Sequence, residues 1–153
     1  MTRKIYRPED IPVVDALEWI RGHPEYFVGP PPYKRTLVAR AVHDLVCFGV
    51  NAVSAEAFDP WWLVIAQSDW LTIDGIYRRE YWQTTGAAPE IGLQAARPEA
   101  VMTALSDALF TVANGTVEFI VGSEIGHDGL RAKVQSLLTP EFRGRAVGFL
   151  IAE

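Results

Sequence analysis

The residue types able to do chemistry concentrate on one stretch, residues 34–56. At the helical period Arg40, Asp44, Cys47 and Asn51 fall within about 60° of one another. Thr36, His43 and Ser54 border that stripe. Nearly everything else there is apolar: Leu37, Val38, Ala41, Val42, Leu45, Val46, Phe48, Val50, Ala52 and Val53. A helix lying on a domain surface shows a wider polar face, rich in Lys and Glu. The pattern therefore predicts one long helix wedged between other elements, with a single slot open to water or a ligand. The simplest reading of the stripe is an exposed strip in which Arg40 and Asp44 form an i,i+4 ion pair.

Other constellations carry less. His43 and Cys47 stand at i,i+4 and can touch, but a nucleophile and its base usually come from different elements, and a cysteine on an apolar helix is usually a small buried hydrophobe. His23, His43 and His127 lie in separate elements without metal-ligand spacing, so no metal site is expected. Glu124 with Asp128, and Glu80 with Glu90, read as solvated surface carboxylates. Trp61 and Trp62 are adjacent on an expected strand and must point to opposite faces, which makes the outer one a candidate interface anchor.

Length and composition bound the rest. The 153 residues, 49% apolar and 22% charged, suit one globular domain spanning 1–153. The net charge of −5 argues against nucleic acid as a partner. Arg3, Lys4 and Arg7 form the only basic group near the start, and no apolar segment follows it, so no signal peptide is expected. No apolar run approaches the ~20 residues that span a bilayer. Cys47 is the single cysteine, which excludes an internal disulfide. The expected location is the cytoplasm. The oligomeric state is not set by the sequence.

The elements that must position these residues follow from punctuation and period. Asp10 is expected to cap a first helix, with Pro12 in its first turn and Val13, Val14, Leu17 and Ile20 as its apolar face, ending at Gly22–His23–Pro24. Gly29–Pro30–Pro31–Pro32 is a stiff connector to the long helix. After Asp59–Pro60, residues 61–66 read as a strand and 70–73 as its neighbour, followed by an Asp74–Gly75 turn. Residues 76–96, with Gly86, Pro89 and Gly92, read as a long loop with room for a short helix inside it. Pro98 opens a short helix through Val101, Leu105 and Ala108. Residues 109–113 and 116–121 flank Asn114–Gly115, a strong hairpin signal. A helix at 128–138 and a strand at 146–151 close the chain. The expected class is α+β: a two-layer sandwich of a mixed, mostly antiparallel sheet with helices on one face.

The order of several motifs resembles a known family. Arg21–Gly22–His23–Pro24–Glu25–Tyr26–Phe27–Val28–Gly29 resembles the RxRPxMYIG segment of the gyrase B and topoisomerase type of ATP-binding domain, the GHKL or Bergerat fold. In that family the segment sits between a short helix and the long helix that carries the catalytic residues. Leu63–Val64–Ile65 and Trp70–Leu71–Thr72–Ile73–Asp74–Gly75 resemble its strand pair ending in a DxGxG turn. Gly92–Leu93–Gln94 resembles the start of its GLHGVG lid. Ala104–Leu105–Ser106 with the Asn114–Gly115 hairpin, and then Gly144–Arg145–Ala146–Val147–Gly148–Phe149, resemble the elements that close it.

The resemblance implies a nucleotide site, and the departures imply its loss. Arg40 stands where the family has the Glu that polarises water, and a guanidinium is no general base at neutral pH. Asp44 stands where the family has a magnesium-ligating Asn. The turn keeps Asp74 and Gly75 but lacks the second glycine, the lid keeps Gly92 but continues Ala95–Ala96–Arg97, and Arg145 replaces a Thr. The expectation is a non-catalytic GHKL-like module for protein contact or regulation, with no catalytic residue, resident cofactor or metal. The alternative is a small-molecule or purine-nucleotide binder whose remnant pocket is made by Arg40, Asp44, Asp74, Gly75 and Gly92.

Overall fold

The computed structural model describes residues 14–86 and 96–152, together with residues 7, 9, 88 and 90. Helix α1 (Ala16–Gly22) is capped by Asp15, whose carboxylate accepts the Glu18 N–H at 2.9 Å. That bond satisfies one of the N–H groups every first turn leaves open. The expected start at Asp10, Pro12 and Val13 lies outside the described residues, and Val14 is non-helical and exposed. A single turn, α2 (Glu25–Val28), and the proline run then lead into α3 (Tyr33–Cys47).

α3 stops at Cys47 and does not continue to Glu56. Gly49 adopts φ +79°, its N–H bonds to the Val46 carbonyl at 3.0 Å, and the Val50 N–H bonds to the Leu45 carbonyl at 3.0 Å. This pair of bonds is how a left-handed glycine closes a helix, and Leu45 and Val50 are buried in one core behind it. Residues 53–58 form β1 (Val53–Phe58) because they pair with β2 (Trp61–Ala66), from Val53 opposite Ala66 to Phe58 opposite Trp61. Asp59 and Pro60, joined by a cis peptide bond, turn that hairpin.

The expected neighbour of β2 at 70–73 pairs elsewhere. β3 (Thr72–Ile73) and β4 (Ile76–Tyr77) make a separate two-stranded sheet around Asp74 and Gly75, both at positive φ. A 3-10 turn at Arg79–Trp82 follows inside the expected loop. Helix α4 (Pro98–Leu105) ends before Ala108, which opens β5 (Ala108–Ala113). β6 (Thr116–Val121) returns across the expected Asn114–Gly115 turn. Helix α5 (Asp128–Leu137) starts where His127 Nδ1 accepts the Leu130 N–H at 3.1 Å, and β7 (Arg145–Leu150) ends the fold.

The main sheet runs β1-β2-β7-β5-β6 with every pairing antiparallel, so the α+β class holds and the sheet is antiparallel throughout. β7 fills the centre, between β2 and β5. Side chains alternate across it. Val64, Ala66, Leu109, Val147 and Phe149 pack with Ile20, Leu37, Leu45 and Val101 from α1, α3 and α4. Leu63, Ile65, Phe110, Val112 and Ala146 pack with Leu130, Val134 and Leu137 of α5. The expected two layers with helices on one face therefore become three. Each fully buried Leu, Val or Phe contributes roughly 1.5–3 kcal/mol to that packing. No helix of the described residues is long and apolar enough to cross a membrane.

Candidate functional site

The polar stripe of α3 is turned inward. Arg35, Ala39, His43 and Val46 face solvent, whereas the Arg40 and Asp44 side chains are 15% and 2% exposed. Arg40 Nε donates to Asp44 Oδ2 at 3.0 Å, Nη2 donates to the Ala96 carbonyl at 2.7 Å, and Nη1 donates to the Phe27 carbonyl. One guanidinium thus ties α3 to α2 and to the segment entering α4. The other Asp44 oxygen lies 3.0 Å from His43 Nδ1. Both carboxylate oxygens are engaged, and the Arg40 charge neutralises them, so Asp44 is not disposed to hold a cation.

His43 Nε2 lies 3.6 Å from Cys47 Sγ, which aligns a thiol, an imidazole and a carboxylate. All three come from one helix, whose own backbone N–H groups are engaged within it. The helix backbone itself therefore offers no free N–H donors to a developing oxyanion. Asn51 and Ser54 leave the stripe, since α3 has ended before them and Ser54 belongs to β1. Thr36 Oγ1 donates back to the Tyr33 carbonyl at 3.1 Å.

Asp74 and Gly75 form the exposed tip of the β3–β4 hairpin, and the Asp74 carboxylate accepts no hydrogen bond from the described residues. Gly92 lies outside the described residues. The structure thus brings Arg40 and Asp44 together but joins neither to Asp74 or Gly75 by a hydrogen bond or ion pair. Among the described residues no group of three or more His, Cys, Asp or Glu is arranged to hold a metal ion.

Two further arginine–carboxylate pairs emerge on the side of the sheet covered by α1, α3 and α4. Arg145, 3% exposed on β7, donates from Nε to Asp69 Oδ1 at 2.7 Å and from Nη2 to Oδ2 at 3.1 Å. Its Nη1 donates to Thr111 Oγ1 at 2.9 Å, and the Tyr77 ring lies 4.4 Å from the guanidinium carbon. Burial by itself raises the Asp69 carboxyl, but the hydrogen bonds from Arg145 and Thr72, the Arg145 charge and the Leu71 N–H outweigh it and hold the group below its ordinary value. Burial pushes the Tyr77 phenol up, against the opposing hydrogen bond from Trp82 Nε1 at 2.8 Å.

The third pair is Arg97 with Glu99. Glu99 is 1% exposed and accepts from Arg97 Nε and Nη2 at 3.1 Å each and from Trp70 Nε1 at 2.9 Å. The Arg97 guanidinium carbon lies over the Phe48 ring at 4.7 Å and over the Tyr81 ring at 4.1 Å from their centroids. The Arg145 pair left a trace in the sequence. Arg145 shares a strand face with Val147 and Phe149, and a charge at such a position needs a buried partner. Nothing local identifies that partner, because Asp69 is 76 residues away.

A cleft of about 230 Å³ opens beside Arg145, between Tyr77 and the hairpin residues Thr111, Asn114, Thr116 and Glu118. Glu118 is itself paired with Arg79 at 2.6 Å. The expected outer tryptophan is not exposed either: Trp61 is buried on the α5 side and Trp62 is half-buried on the other. No protein-family model matches this chain, and no curated protein matches it.

Proposed function

We propose that the chain is a non-catalytic relative of the gyrase B-type (GHKL) ATP-binding domain, serving as a protein-interaction or regulatory module in the cytoplasm. The observation that carries this reading is the state of Arg40. It stands where the family's water-polarising Glu is expected, and its donors are spent on Asp44 and on the Phe27 and Ala96 carbonyls. Part of the order of elements supports the kinship: short helix, proline-bearing segment, long helix, helix end, hairpin and closing strand; the strand pair does not, because residues 72–73 pair with 76–77 and not with β2. Arg97 and Arg145 stand where the family has a lid and a Thr, and each is likewise neutralised by a buried carboxylate. Three internal ion pairs leave none of these arginines with an unneutralised charge to offer a triphosphate.

A purine binder in a remodelled pocket is the weaker reading. The cleft beside Arg145, about 230 Å³, lies below the ~300–1,000 Å³ of sites that enclose drug-sized ligands. Phosphate release from ATP with magnesium is the test. The proposal predicts none above the protein-free blank. Turnover that disappears in Asp44→Asn would overturn it.

A further inference from the structure

Trp19 on α1, His23 at its C-terminal end and Tyr26 on α2 form one aromatic surface. The Trp19 and His23 ring centroids are 3.5 Å apart, Trp19 and Tyr26 6.0 Å, and His23 and Tyr26 5.9 Å. His23 Nδ1 lies 3.0 Å from the Trp19 carbonyl, which fixes the imidazole against the helix end. Trp19 is 41% and Tyr26 74% exposed, whereas the other four tryptophans are buried or half-buried. An edge-to-face aromatic group left in water forgoes burial that the rest of the fold exploits.

The charges on these two helices are mostly negative. Asp15, Glu18 and Glu25 are exposed on the same two short helices, and Glu18 and Glu25 have no ion-pair partner among the described residues. The one cation of these helices, Arg21, directs its Nε to the Ala104 carbonyl at 3.0 Å. Aromatic faces attract cations through their quadrupole, and neighbouring carboxylates add Coulomb attraction.

We propose that the Trp19–His23–Tyr26 surface docks a basic segment of a protein partner, whose Lys or Arg side chains lie over the Trp19 and Tyr26 rings with Glu18 and Glu25 beside their charged ends. This deepens the reading of the chain as an interaction module and rests on it, but it does not depend on the closed nucleotide slot.

The test is fluorescence anisotropy of a labelled, glycine-spaced Lys/Arg peptide titrated with the full chain, with a Glu peptide of the same spacing alongside. The Lys/Arg peptide binds and the Glu peptide does not. Trp19→Ala, Tyr26→Ala and the double variant Glu18→Gln/Glu25→Gln each weaken binding by about fivefold or more. Glu80→Gln/Glu141→Gln, which removes the same charge from other exposed positions, leaves it unchanged. No binding, equal binding of the Glu peptide, or equal weakening by the Glu80/Glu141 variant would overturn the proposal. Because the double Glu→Gln variant alters only exposed side chains, it tests the surface even if Trp19→Ala folds poorly. A negative result here leaves the phosphate-release assay to judge the closed slot separately.

Discussion

Arg40 Nε and Asp44 Oδ2 meet at 3.0 Å on successive turns of α3, with Asp44 almost wholly withdrawn from water. At the surface such a pair would contribute about 0.3–0.5 kcal/mol. Buried, its desolvation is already committed, and removing one member strands the other. Arg40→Ala should cost about 3–5 kcal/mol, because it also leaves the Phe27 and Ala96 carbonyls without their donor. Asp44→Leu alone should be comparably damaging. The combination Arg40→Met/Asp44→Leu should cost less than the sum, with a coupling of about 0.5–3 kcal/mol. Urea unfolding read at constant m checks this, and strict additivity would show that the pair does not act as a unit.

Asp69 sets an acid limb. Its carboxyl is held below the ordinary value, so it contributes stability that is present above about pH 4 and lost as pH falls through the depressed folded-state value. Unfolding free energy measured from pH 7 downward should therefore decline more steeply in the native chain than in Asp69→Asn. Asp69→Asn should in turn be less stable at neutral pH, where Arg145 loses its charged partner. Parallel acid limbs in the two proteins would contradict the assignment.

Gly148 lies under a core ring. A Cβ there would fall inside the Phe110 side chain, which is fully buried and cannot swing away. Gly148→Ala should destabilise by about 1–3 kcal/mol through overpacking. Gly144→Ala should be worse, since its Cβ would overlap the Ala66 backbone carbonyl. Pairing Gly148→Ala with Phe110→Leu should recover part of the loss, and thermal denaturation of the three variants reads the order.

Gly49 terminates α3 at φ +79°. Gly49→Ala places a Cβ in the left-handed region and should cost about 1–2 kcal/mol, with nothing else near enough to clash. A neutral result in chemical denaturation would mean that the helix end is not held by this turn.

The same glycine explains where the sequence is hard to read. Residues 34–56 have continuous helical periodicity, and the apolar run 50–53 fits a helix face as well as a strand. What decides is the Gly49 turn together with pairing to β2, and pairing is a long-range term. Asn114–Gly115, the Asp128 helix and the closing strand were legible because each carries a local signal: a turn dipeptide, a helical apolar face, an alternating run. β3 and β4 are two residues each and carry almost none. At the site, Arg40 with Asp44 was visible from spacing alone, but its burial was not, because the covering Phe27 and Ala96 carbonyls belong to other segments. Asp74 is singled out by the resemblance of its turn to the family's DxGxG, whereas Asp69 finds Arg145 through the fold, 76 residues away, and Glu99 has Arg97 two residues away but owes its burial to the fold.

The most direct test of the central claim is a thermal-shift titration of the native chain with ATP, ADP and GTP, each with magnesium. On the proposed reading, with Arg40, Arg97 and Arg145 each neutralised by a buried carboxylate, the chain should show no stabilisation by any of them. A ligand present at a hundred times its Kd would add about 2.7 kcal/mol. A saturable upward shift of that size with any of the three nucleotides would contradict the account.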